Sequence, residues 1–186
     1  MKLQMFARST EKKKDVLRER RAGRIPAVIY VEGKAAEPIA IPSNEFSSLL
    51  RQVQPGRLST TVFSLKAEKG KERPVLIKEI QYHPTTYDVI HLDFEELHDN
   101  VPVKAKVPVE LTGVVECVGV KLGGFLRQVI RTLKVRCLPK DLPQVFTIDI
   151  RDMNVGQAKR LSELAIPESV RPLADLHEVA VVVSKR

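Results

Sequence analysis

The chain offers few groups that could do chemistry, and the best placed stand in YDVIHLDF, residues 87–94. Strand alternation puts Ile90, Leu92 and Phe94 on one face of this segment and Tyr87, Val89, His91 and Asp93 on the other. The apolar set is the expected core. His91 and Asp93 then point away from it, either as a solvated strand face or as donors and acceptors for an outside partner. A His beside an Asp is also a fragment of a hydrolytic triad, but no Ser or Cys stands in a nucleophile-elbow context, so no catalytic residue is expected. His83, His91 and His98 are spaced eight and seven residues apart, which fits no common ligand frame, so no metal is expected. GVKLGGFL (119–126) lacks the Lys-Ser/Thr of a phosphate loop; its glycines are expected to serve a hairpin or bulge, and no cofactor is implied.

The other chemical candidates are basic. Lys12, Lys13 and Lys14 precede Arg18, Arg20, Arg21 and Arg24, a density that favours phosphate contact over a merely soluble N-terminal run. Residues 1–24 hold nine Lys/Arg against three Asp/Glu, or +6. Residues 25–98 hold eight against ten (−2) and residues 99–186 fourteen against ten (+4), for a total of +8. So localised a field is the footprint of a nucleic-acid or acidic-membrane binder. Tyr30, in AVIYV, falls on the strand face opposite Ala27, Ile29 and Val31; it is either a half-buried strand tyrosine or a group that stacks on or bonds to a nucleotide.

The elements that must hold these groups follow from local pattern. Residues 15–22 form a short helix, ended by Gly23 as a left-handed C′ residue and by Pro26. Only Val16, Leu17 and Ala22 are apolar, so neither face of this helix can be buried, and it lacks the apolar face of a membrane-surface helix. Strands follow at 26–31 and 38–41 around a turn at Gly33. Ser43 caps a helix to Val53, and strands recur at 59–65, 74–80 and 87–94, the first two joined by KAEKGKER. Beyond about residue 95 the signal is nearly all β: VPVKAKVPVEL, VIRTLKVRCL, VFTIDI and HEVAVVV, punctuated by prolines, suggest a sandwich or open β-rich module. Two domains are expected, 1–95 and 96–186. No apolar run approaches a membrane span, and MKLQMFARST carries no signal-peptide pattern. Cys117 and Cys137 read as reduced, structural thiols.

In order along the chain, RRAGRIPAVIY, IQYHP and IHLDF resemble the bacterial large-subunit ribosomal protein family that binds 5S ribosomal RNA, the twenty-fifth of its subunit. VPVELTGVVECVGVKLGGFLR, LKVRCLPKDLP and IDIRDMNVGQ resemble the extra C-terminal domain of its long, general-stress (CTC) form. The resemblance implies a mainly β protein. An α+β N-terminal domain, a six-stranded β-barrel with short helices similar to the anticodon-binding barrel of glutaminyl-tRNA synthetase, precedes a β-rich C-terminal domain. It further implies a non-enzymatic, cytoplasmic, ribosome-bound component, monomeric when free. Its N-terminal domain would grip the distorted internal loop of 5S rRNA through the minor groove, with neighbouring ribosomal proteins and rRNA as further partners. By motif position the RNA contacts would be Arg8, Lys13, Arg18, Arg20, Tyr30, Lys78, His91 and Asp93. Two positions depart from the family pattern: KKKD replaces a Gly-Lys-Gly turn, and Val31 replaces a Gly after the tyrosine.

Overall fold

The computed structural model describes residues 1–8, 13–31, 35–67 and 71–185, and the side chain of Lys13 lies outside that description. The chain divides into two compact units, Met1–Val101 and Pro102–Arg186. The first unit contains β1 (Lys2–Ala7), α1 (Lys13–Arg21), β2 (Arg24–Tyr30), β3 (Glu37–Pro42) and α2 (Ser43–Gln52), then β4 (Val62–Ala67), β5 (Arg73–Tyr82) and β6 (Val89–Glu96). The six strands form the expected closed barrel in the order β1-β3-β2-β6-β5-β4. Closure comes from parallel pairing of β1 with β4, Leu3 facing Leu65. The barrel interior is filled from alternate positions: Leu3 and Met5, Ile25, Ala27 and Ile29, Phe63 and Leu65, Leu92 and Phe94. Helix α2 adds Phe46, fully buried, and its Leu49, Leu50 and Val53 pack on the same core, as the i, i+3, i+4, i+7 spacing requires.

Several local readings are corrected. β1 had no expected counterpart, although Lys2–Ala7 alternates exposed and buried residues. Ser43 does not cap α2; Pro42 is its N-cap and no side chain bonds there. The segment 59–65 begins with a one-turn 3-10 helix, Leu58–Thr60, and extends only from Val62. Tyr87 is not a strand residue: it sits at φ +59° in the turn before β6, 77% exposed. The turns at Gly33 and at 68–70, and Lys12, lie outside the described residues.

The second unit contains β7 (Val103–Thr112), α3 (Val118–Lys121), β8 (Phe125–Gln128), β9 (Thr132–Cys137), β10 (Phe146–Asp149), β11 (Ala158–Arg160), β12 (Arg171–Pro172) and β13 (Val179–Ser184). They form a four-stranded sheet, β10-β7-β9-β12, and a three-stranded sheet, β11-β13-β8. Both contribute to one core, Val107, Val135 and Phe146 from the first and Ala180, Val181 and Val183 from the second. GVKLGGFL is not a hairpin. It runs through α3 and a left-handed Gly123 (φ +85°) into β8. Gly124 must lack a side chain, because a Cβ there would lie 2.6 Å from the Gly119 carbonyl oxygen and 2.8 Å from Val183. Cys117 and Cys137 are buried free thiols; burial, then the Asp141 charge, pushes the Cys137 thiol up.

Candidate nucleic-acid interface

Strand register assembles the site. β2 and β6 run parallel, with Val28 beside Asp93 and Tyr30 beside Glu95. β5 runs antiparallel on the other side of β6, with Glu79 facing Asp93 and Gln81 facing His91. Because Leu92 and Phe94 point inward, His91, Asp93 and Glu95 share the outer face of the barrel with Tyr30, Glu79 and Gln81. Lys78 joins them through a β-bulge: Ile77 faces Phe94 and Glu79 faces Asp93, leaving Lys78 as the extra residue of β5. The bulge lets Ile77 and Ile80 both reach the core while Lys78 and Glu79 turn outward. Lys78 then pairs with Glu95.

The electrostatics of this face are mixed. His91 Nδ1 lies 2.8 Å from Asp93 Oδ1, yet its N–H forms no directed hydrogen bond. Proximity alone overstates that link. His91 Nδ1 is buried without a hydrogen bond among the described residues, and the partly exposed Asp93 carboxyl keeps acceptor capacity for a partner. Tyr30 is held neutral: burial, followed by the charges of Glu95, Asp93 and Glu79, pushes its phenol up to about 12. The face therefore offers a neutral phenol hydroxyl beside the His91 ring and the carboxyl groups of Asp93, Glu95 and Glu79 within one patch. Carboxylates repel phosphates but accept bonds from base amino groups and ribose hydroxyls.

The basic helix adjoins one end of this face. Gly23, at φ +71°, ends α1, and its carbonyl accepts from the Ser43 N–H at 2.9 Å. A second bulge displaces Ile90 from the β5–β6 ladder, where Gln81 faces His91 and Tyr82 faces Val89. Arg20 Nη2 donates to the Ile90 carbonyl at 3.0 Å. Arg24 lies 4.3 Å over the Phe6 ring and 3.4 Å from Glu19. Arg18 and Arg21 are exposed on α1. Arg8 stands farther round the barrel. Its N–H donates to Pro38, which faces Val28 across β3 and β2, so it shares the Asp93 row at two strands' remove from Val28. Its Nε is buried without a hydrogen-bond partner among the described residues. Lys13 opens α1, with its side chain outside the described residues.

An open groove of about 410 Å³ lies where α1, α2 and the start of β6 meet, lined by Arg20, Arg24, Ser47, Tyr82, Tyr87 and Asp88 among others. Tyr82 and Tyr87, 50% and 77% exposed, were not anticipated as site residues. Exposed aromatic rings beside arginines are stacking platforms for unpaired bases. Their signal was the YHPTTY turn, whose left-handed Tyr87 is legible only from the backbone. His83 is committed to that turn, its Nδ1 accepting from the N–H groups of Thr85 and Thr86 at 3.3 Å each. Among the described residues no cluster of His, Cys, Asp or Glu could hold a metal ion. No helix among them is long and apolar enough to cross a membrane.

Comparison with known proteins divides the chain at the same place. Residues 3–94 match the model of the ribosomal L25p family, and residues 102–186 match the C-terminal domain of ribosomal protein TL5. A large ribosomal subunit protein bL25 of Chlamydia trachomatis serovar L2 is 47% identical over 186 residues, covering all of both chains. Those of Chlamydia pneumoniae and Chlamydia caviae are 45% and 44% identical over the same full length. The barrel with its basic helix and the β-rich unit after it thus each match a ribosomal model, and the chain belongs to the bL25 family of bacterial large-subunit ribosomal proteins, which are not enzymes.

Proposed function

We propose that the protein is a structural component of the large ribosomal subunit that binds 5S rRNA, reading its distorted internal loop through the minor groove with the N-terminal barrel. The observation that carries this reading is the convergence of His91, Asp93, Tyr30 and Lys78 on one outer face, reached from three strands, with the arginines of α1 at its edge. A regular RNA duplex hides base edges in a deep major groove and shows only a shallow minor groove; a distorted loop opens that groove to side chains mounted on a rigid sheet. Arg8, Lys13, Arg18 and Arg20 supply phosphate contacts, and His91, Asp93 and Tyr30 supply discrimination. Residues 1–95 act as the 5S-binding domain and 96–186 as a second domain facing neighbouring rRNA and ribosomal proteins. The protein is monomeric when free, and its place is the cytoplasmic ribosome.

A gel-shift titration tests this directly. The full chain is expected to bind 5S rRNA in preference to a fully paired RNA duplex of equal length. The affinity should fall by about 0.7–0.9 log units per contacted phosphate for each log unit of salt. Equal affinity for both RNAs at every salt concentration would refute the loop-reading role.

A further inference from the structure

The solvent face of the β10-β7-β9-β12 sheet in the second unit carries a feature that folding alone does not favour. Its inner face is apolar, built from Val103, Ala105, Val107, Leu133, Val135 and Cys137. Its outer face holds Lys104 and Lys106 on β7, Lys134 and Arg136 on β9, and Arg171 on β12, all exposed. The register sets them directly opposite one another. Lys104 faces Arg136, Arg136 faces Arg171, and Lys106 faces Lys134. Like charges in directly opposed positions destabilise a sheet. Toward the other end of the sheet Glu110 faces Thr147, and Asp149 is held by Arg151 at 2.5 Å. Among the described residues, Lys134, Arg136 and Arg171 take part in no side-chain ion pair.

We propose that this face is a second RNA-binding surface, taking the phosphodiester backbone of structured RNA without reading its sequence. The grid of cations is about 5 Å between strands and about 7 Å along them. That is a two-dimensional array of fixed charge suited to several phosphates at once rather than to one small anion. No aromatic side chain stands among the five cations, so the surface offers charge without base stacking. Bound phosphates relieve the repulsion between Arg136 and Arg171, which face each other directly. That the anion is RNA rests on the ribosomal reading above; the charge array itself does not.

The test is the full-length triple variant Lys134→Gln, Arg136→Gln, Arg171→Gln, titrated with a fully paired RNA duplex over a salt series. Losing three phosphate contacts should reduce the slope of log affinity against log salt by about 2 to 3. The preference for 5S rRNA over duplex should persist, which separates this surface from the barrel site. Thermal stability at low salt should be unchanged or higher than that of the parent, since repulsion has been removed. Should the triple variant fail to fold, Arg136→Gln alone, at the centre of the array, should reduce the slope by about 1. An unchanged slope in a folded variant would overturn the proposal. So would binding of phosphatidylglycerol vesicles that is lost in the variant while duplex binding is kept.

Discussion

The phenol of Tyr30 lies within the field of Glu95, Asp93 and Glu79, and burial together with those charges raises its pKa to about 12. A group whose folded pKa is raised stabilises the fold fully below the unfolded value near 10, and that stabilisation disappears as pH rises through the folded value. The barrel should therefore lose stability progressively between about pH 10 and 12. Absorbance titration at the phenolate band should show a late step, near 12, that Tyr30→Phe removes; absence of any late step, or a late step unchanged in Tyr30→Phe, would contradict the packing described. Arg18 and Arg20 differ in kind although both are basic and three residues or fewer from the helix end. Arg18 is exposed, so Arg18→Ala should lower the RNA salt slope by about 1 and leave the melting temperature within error. Arg20 also binds the Ile90 carbonyl, so Arg20→Ala should lower the slope and also loosen α1 from β6, seen as faster amide exchange at both. The outward aim of His91 and Asp93 was legible from alternation alone. The carboxylates around Tyr30 were not, because they come from two other strands.

At the scale of elements, two β-bulges do most of the positioning. The first makes Lys78 an extra residue in β5, and the second sets Ile90 out of the ladder, where its carbonyl accepts from Arg20. Deleting Lys78 should restore a regular alternation in which Ile77 and Ile80 still face inward. The deletion protein is expected to keep its far-ultraviolet circular dichroism while its preference for 5S rRNA over duplex drops by about 10-fold or more, on the scale of a lost charge-assisted hydrogen bond. Loss of fold instead would show that the bulge serves the barrel rather than the site. Neither bulge is expected from the sequence, where PVLIKEI (74–80) and YDVIHLDF (87–94) each read as unbroken strand. The helix stop at Gly23 was legible, because only glycine takes φ +71° without strain. β1 was readable in principle but is short, and its closing partner β4 lies some sixty residues away. The GVKLGGFL segment was misjudged because glycine spacing fits a hairpin as well as it fits the close approach of Gly124 to Gly119 and Val183.

Across the whole molecule, charge is partitioned by task. The first 24 residues carry +6, concentrated on and before α1, while the rest of the first unit is net negative. On the function proposed above, this leaves affinity to one edge of the barrel and selectivity to a face where carboxylates reject phosphates. The second unit sets Lys104, Lys106, Lys134, Arg136 and Arg171 on the outer face of one sheet, the second anion-binding surface proposed above. If both engage the same RNA assembly, the second contact becomes intramolecular and overall affinity exceeds that of either surface alone. The most direct test of the central claim is the affinity ratio for the 5S internal loop over a plain duplex, measured at two salt concentrations for the parent, His91→Ala and Asp93→Ala. The account expects both substitutions to lower the ratio by about 10- to 100-fold while the salt slope stays within about 0.5 of the parent. Equal loss of affinity for loop and duplex, or a ratio left unchanged, would contradict it.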